Sequence, residues 1–399
     1  MPPAYDAHVV AVPQIAGSCN ERFAPVREAF ERNFREHAEL GAAVTLAVEG
    51  RVVVDIWAGW MDAARTRAWE RDTLVAVFSV GKAMAALCVL MLVERGQVDL
   101  EAPVSRYWPE FAAGGKDGVT VRMLLAHRAG LPAIRRALAE DAMYDWNHMA
   151  SALAEEEPWW VPGSRHGYHV NTFGFLTGEL VRRVSGESIG AFFRREVANR
   201  IGADFHFGFG ARHDRRTAEY LFGGESKEST EGVEERQPVA ADPEREFLLS
   251  RTYLNPPGLS GLGTVNTRAW RAAQIPSANG HATARGVARI YSALACGGVV
   301  DGIRLLRPET IDQAIAETSA GPDFVLARPS RFGLGFQLTQ PERPLGPSPR
   351  SFGHFGVGGS LGFADPDAGL AFGYAMNNSG PRWQNPRNRA LIDAVYACL

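Results

Sequence analysis

The chain has 399 residues, 46% of them hydrophobic and 22% charged, with a net charge of −3. That balance belongs to a folded globular protein with ample core. The absence of a long basic run argues against nucleic acid or an anionic membrane as partner. The longest apolar run, Ala83 to Val93, is too short to span a bilayer. The first residues, MPPAYDAHVVAVPQIAG, lack a basic segment followed by an apolar one, so the expected location is the cytoplasm. Cys19, Cys88, Cys296 and Cys398 are scattered, with neither a C-x-x-C nor a zinc spacing, and no cofactor is expected.

In chain order, residues 24–38 read as a charged helix. Residues 42–60 read as a β-hairpin, two β-branched runs flanking a tight turn at Glu49-Gly50. The segment after Ser79 is apolar on every side, which marks a buried helix, and Gly96 stops it. Thr120 caps VRMLLAHRAG, with Gly130 as the stop and Pro132 beyond. Residues 172–185 form an amphipathic helix ended by Gly186. The charged stretch 223–248 reads as a solvated loop. Residues 283–297 are helical. SLGFADPDAGLAFGYAMNN holds two strands across a turn at Asp365 to Gly369, and a last helix covers 386–397. Strands at both ends and helices between them predict an α+β fold. Residues 1–65 and 275–399 would form an α/β domain with a central antiparallel sheet flanked by helices. Residues 66–274 would form an inserted, mostly helical domain.

One residue stands out. Only Lys82, Lys116 and Lys227 are lysines, so 39 of the 42 basic residues are arginine. Lys82 opens an apolar helix three residues after Ser79, and i and i+3 share a helix face. A buried lysine can lose its proton where arginine cannot, and a serine hydroxyl needs such a base to become a nucleophile. With 19 serines and 3 lysines, chance supplies about 0.14 S-x-x-K patterns in this chain. Tyr168 lies just before the helix at Thr172. Next to a cationic lysine its phenol could also take a proton. The glycines of SFGHFGVGGSLGF, 351–363, suit a strand that lines a cleft and offers a backbone N–H to an oxyanion, or equally a Gly-rich bend. His166 and His169 lack a carboxylate at matching spacing and are set aside as a metal pair. His127 reads as a structural histidine at a helix end, and Ser260 as a loop serine. Trp146, Trp159 and Trp160 fit an acyl pocket or a buried core equally.

Ser79-x-x-Lys82, a tyrosine before a helix and His354-x-Gly356, in that order, resemble the class C β-lactamase-like serine hydrolases. TVRMLLAHRAGLP, PGSRHGYHVNTFGFLTGELVRRVSG and GHFGVGGSLGFADPDAGLAFGYAMN are similar to further segments of that group. Within it, the chain most resembles the family VIII carboxylesterases. The resemblance implies a β-lactamase/transpeptidase-like fold and a serine esterase acting on small-molecule, short-chain esters. The alternatives are a β-lactamase, a D-amino-acid peptidase or amidase, or an acyltransferase. It implies Ser79 as the acylated nucleophile and Lys82 and Tyr168 as the base. It further implies the N–H groups of Ser79 and Val357 as the oxyanion hole, beside His354 and Gly356. Two departures matter. Tyr168-His169-Val170 replaces Tyr-x-Asn, with Asn171 one place late. His354-Phe355-Gly356 replaces Lys-Thr-Gly, so a β-lactam carboxylate loses a cation. An imidazole with the ordinary pKa near 6.5 would restore part of that charge below pH ~6.5.

Overall fold

The structure is a computed structural model and describes residues 12–223 and 242–399. Among these, nine strands form one antiparallel sheet: β1 (Ala16–Cys19), β2 (Gly41–Val48), β3 (Arg51–Gly59), β4 (Ser319–Pro322), β5 (Pro329–Phe332), β6 (Gln337–Leu338), β7 (Phe352–Phe355), β8 (Leu361–Asp365) and β9 (Leu370–Met376). Their spatial order is β1-β3-β2-β9-β8-β7-β6-β5-β4. The two ends of the chain therefore meet in mid-sheet, where β9 pairs with β2 along its whole length. The hairpin turn at Glu49-Gly50 is tight because both residues take positive φ, +48° and +79°.

Seven helices matter for the site: α1 (Ala24–Glu36), α2 (Val80–Glu94), α3 (Val121–Leu125), α4 (Thr172–Ser185), α5 (Pro243–Leu254), α6 (Ala284–Ala295) and α7 (Pro386–Tyr396). The strongly amphipathic α6 lies on β2, β8 and β9, and α1 packs on α7. α2 is enclosed from Val80 to Leu92, packing on α4 and β7. Each Leu or Met buried there adds about 1.5–3 kcal/mol, which holds the start of α2 rigidly against the sheet. A small second sheet joins Val75–Ala76, Phe205–Phe207 and Gly280–Ala282. It ties the segment leading into α2 to the loop at 275–279.

Two expectations need correction. The helix capped by Thr120 ends at Leu125, not at Gly130. His127 takes φ +59° and turns its ring into a cluster with Tyr168, Phe173 and Phe332, so tertiary packing ends the helix early. The stretch 223–248 falls largely on residues 224–241, which lie outside the described residues, but its end is helical. There Asp242 accepts the N–H groups of Glu244 and Arg245 and starts α5, with Pro243 in its first turn.

Candidate active site

Phe78 precedes the site in a left-handed conformation, φ +46°, that a bulky residue rarely adopts. Tyr220, Phe222 and Trp270 hold its ring at 4.6, 6.1 and 6.1 Å between centroids. The turn leaves Ser79 buried at the N-terminus of α2. One helical turn on, Lys82 Nζ donates to Ser79 Oγ at 2.9 Å and to the Ser277 carbonyl at 3.0 Å. Lys82 is 0% exposed, and burial pushes its amine well below the usual lysine range. The neutral amine is therefore favoured at the position where a proton acceptor for Ser79 is needed.

The Ser277 carbonyl was not legible in the sequence, because a backbone oxygen carries no side-chain signature. Its loop approaches α2 closely because residue 81 is glycine: a Cβ there would lie 2.3 Å from the Pro276 carbonyl oxygen. Asn279 shapes the loop, accepting the Ile275 N–H at 2.8 Å and donating to the carbonyls of Trp270 and Ala273. Ser277 Oγ accepts the Gly174 N–H at 2.6 Å, which docks the loop on α4.

Tyr168 is fully buried beside this pair, its ring centroid 4.8 Å from Lys82 Nζ. Burial pushes its phenol well above the ordinary range, while the neighbouring Ser79 hydroxyl works the other way. The phenol oxygen closes no hydrogen bond within 3.5 Å among the described residues. The Tyr168 backbone is held from a distance in sequence: both carboxylate oxygens of Asp323 accept its N–H at 3.1 Å. Asp323 also accepts the N–H groups of Val325 and Leu326 and the Ser330 hydroxyl, and Ser330 bonds His166 Nε2. Asn171 donates to the Thr252 carbonyl and Ser260 Oγ, both at 2.9 Å, and closes no bond with Ser79, Lys82 or Tyr168 among the described residues.

The Gly-rich strand β7 ends against the turn before Ser79. A Cβ on Gly356 would sit 2.4 Å from the Val77 carbonyl oxygen, so only glycine lets the two backbones meet. Val357 is thereby set alongside that turn. Tyr220, which no motif singled out, donates its hydroxyl to the Val357 carbonyl at 2.9 Å and packs on Phe78, bracing both sides. His354 lies on the same strand, fully buried, with Nδ1 donating to the Phe355 carbonyl at 2.7 Å. Burial, and then the Lys82 charge, push its pKa down to about 3. The expected gain of charge near pH 6.5 is thus overturned: His354 stays neutral through that range.

The other candidates have structural partners. His166 is engaged by Ser330, and His169 Nε2 accepts the Leu131 N–H at 3.0 Å. His127 Nδ1 accepts the His169 N–H at 3.1 Å. Trp146 donates to Glu179 and packs on Phe175, and Trp159 donates to the Ala133 carbonyl. A cleft of about 750 Å³ opens beside Val357, Gly358, Arg382 and Trp383.

Comparison with known proteins agrees with this fold. The Beta-lactamase family matches residues 27–397. The esterase/beta-lactamase LipL of Mycobacterium tuberculosis is 35% identical, covering 91% of this chain and 83% of that protein. The crystal structure of a family VIII carboxylesterase superposes with a TM-score of 0.88 at 40% identity, over 97% of this chain and all of the other. A penicillin-binding-protein homologue from Caulobacter crescentus gives 0.88 at 38%, also over 97% of this chain and all of that one. The fold is β-lactamase/transpeptidase-like, and on the length and identity of these matches the chain belongs to the beta-lactamase family.

Proposed function

We propose that this protein is a serine carboxylesterase that hydrolyses short-chain esters of small molecules through an acyl-Ser79 intermediate. The observation that carries the reading is the 2.9 Å contact between Ser79 Oγ and a buried lysine amine. Neutral Lys82 takes the hydroxyl proton as Ser79 Oγ attacks the ester carbonyl. The N–H groups of Ser79 and Val357 stabilise the oxyanion, aided by the positive end of α2. The proton then passes through the Lys82–Tyr168 pair to the leaving alkoxide. Water attacks the acyl-serine, and Ser79 recovers its proton. The Ser277 carbonyl supports this cycle by accepting from the ammonium while Lys82 is charged. The names of the similar proteins, an esterase/beta-lactamase and a family VIII carboxylesterase, support the same chemistry.

The test is turnover of p-nitrophenyl butyrate by the purified protein, with Ser79→Ala as control and a fluorophosphonate probe followed by mass spectrometry. Labelling anywhere but Ser79, or none, would overturn the assignment. A cytoplasmic location is part of the proposal. No described helix is long and apolar enough to cross a membrane, and all four thiols are unpaired. An oxidising compartment tends to pair thiols. Cell fractionation checks this.

A further inference from the structure

Arg328 is a cation near the site that the proposed esterase chemistry does not use. It is half-buried, and its guanidinium stacks on the Trp383 ring with Cζ 4.7 Å from the centroid. That ring packs edge-on against Tyr168 at 5.2 Å. A single indole therefore separates the guanidinium from the tyrosine beside Ser79. Trp383 also lines the cleft next to Val357, together with Arg382.

The guanidinium closes no hydrogen bond or ion pair with a described residue. The nearby carboxylate, Asp323, already accepts from Tyr168, Val325, Leu326 and Ser330. Further positive charge surrounds it. Burial first, and then Arg382, disfavour the charged form of Arg328, while Tyr253 and Asp323 favour it; Arg343, pushed down to about 10 mainly by burial, is also opposed by Arg328. Five N–H donors in a planar fork, placed over an indole and without an acceptor among the described residues, form a receptor for a planar anion. His354, neutral and without a free N–H, cannot serve that purpose.

We propose that Arg328, stacked on Trp383, binds a carboxylate carried by the substrate, making the site selective for anionic esters. The carboxylate belongs to the alcohol half. Tyr168 and Lys82 deliver the proton to the leaving oxygen, so the group beyond Tyr168 meets the leaving side. This inference rests on the proposed esterase chemistry and narrows its substrate class.

The experiment compares 4-(butyryloxy)benzoic acid with its methyl ester, which share acyl chain and ring and differ in one charge. The readout is the ratio of their kcat/KM values, which cancels any change in the folded fraction. Arg328→Gln should lower that ratio at least about tenfold, the scale of one charged hydrogen bond, and Arg328→Lys should keep part of it. A second arm pairs mono-p-nitrophenyl glutarate with p-nitrophenyl valerate, placing the carboxylate on the acyl side. No dependence on Arg328 is expected there. A benzoate ratio within twofold of wild type in Arg328→Gln, or an Arg328 effect in the acyl arm alone, would overturn the inference. Failure of the wild type to hydrolyse any of the four through Ser79 would instead overturn the esterase reading.

Discussion

Lys82 and Lys116 are both 0% exposed, yet the shells around them differ. The Lys116 ammonium donates to three carbonyls, those of Ala113, Ala154 and Glu156, and lies 5.4 Å over the Phe111 ring. All three of its protons have acceptors. Burial lowers its pKa, but the charges of Glu156 and Glu157 oppose the shift. Lys82 has one carbonyl and one hydroxyl, no carboxylate contact, and burial as the sole cause of a larger fall. The scarcity of lysine in this chain therefore marks places that need a compact buried amine, and Lys116 is such a place without being a reactive one. What singles out Lys82 is its incomplete shell and the hydroxyl in it. Lys227, the third, lies outside the described residues.

The largest expected effect separates the two sites by rate. Ser79→Ala should cost at least about three decades in kcat, roughly 4 kcal/mol of barrier. Lys82→Arg should be nearly as damaging, because a guanidinium does not deprotonate. Lys116→Arg should leave kcat per folded molecule unchanged. A Lys82→Arg protein retaining more than half of wild-type turnover would erase the distinction.

Stability should separate them with opposite signs. The folded-state pKa of Lys82 is depressed, so the unfolded chain binds the extra proton and Lys82 destabilises the fold at neutral pH. That penalty shrinks as pH rises toward the ordinary lysine value. Lys82→Met should therefore raise Tm at pH 7, by about 2 °C, with the gain fading near pH 10. Lys116→Met leaves three carbonyls unpaired and should cost about 3 kcal/mol, lowering Tm by about 5 °C. Thermal melts of both variants at pH 7 and pH 10 decide it, and shifts of the same sign would refute the contrast.

A smaller effect is expected from the group that holds Tyr168. Asp323→Asn keeps an oxygen for the Tyr168 N–H but removes a negative charge that disfavours the phenolate. The other groups acting on Tyr168 are Ser79, Tyr253 and Arg328, with Lys82, His127 and His354 packed on its ring. Loss of the charge lowers the phenol pKa. Kcat should fall about tenfold, and the alkaline limb of the pH–rate profile should move to lower pH. A fall in kcat with an unmoved limb would reduce Asp323 to a structural support.

What could be read in advance follows from how local each feature is. Ser79 and Lys82 meet because residues three apart share a helix face, and the all-apolar run after them forces burial. The hairpin at Glu49-Gly50 and the stop at Gly186 were legible for the same reason. Tyr168 was placed by its position before α4 together with the family resemblance. Asp323 and Tyr220 were not legible, since each acts on the backbone of a residue 155 or 137 positions away. The Ser277 carbonyl was hidden because any residue offers one. The end of α3 was misread because His127 is drawn into an aromatic cluster that no neighbouring residue announces.

The smallest expected effect is an absence of change, and it tests the third motif. His354 is held neutral chiefly by burial, the first cause of the imidazole's fall to about 3. His354 donates Nδ1–H to the Phe355 carbonyl, leaving Nε2 as a buried lone pair that closes no hydrogen bond among the described residues. Such a ring offers a substrate carboxylate neither a charge nor a donor between pH 8 and pH 6. The ratio of nitrocefin to p-nitrophenyl butyrate kcat/KM should therefore stay flat across that range, within about twofold. A lysine at 354 would supply an ammonium, and His354→Lys should raise the ratio by one to two decades, the worth of a charged hydrogen bond of about 1.5–3 kcal/mol. Burial beside Lys82 would depress that new amine too, so the gain should be larger at pH 6 than at pH 8. A wild-type ratio that climbs as pH falls would mean that His354 titrates near neutrality, in a site more open to water than this packing allows.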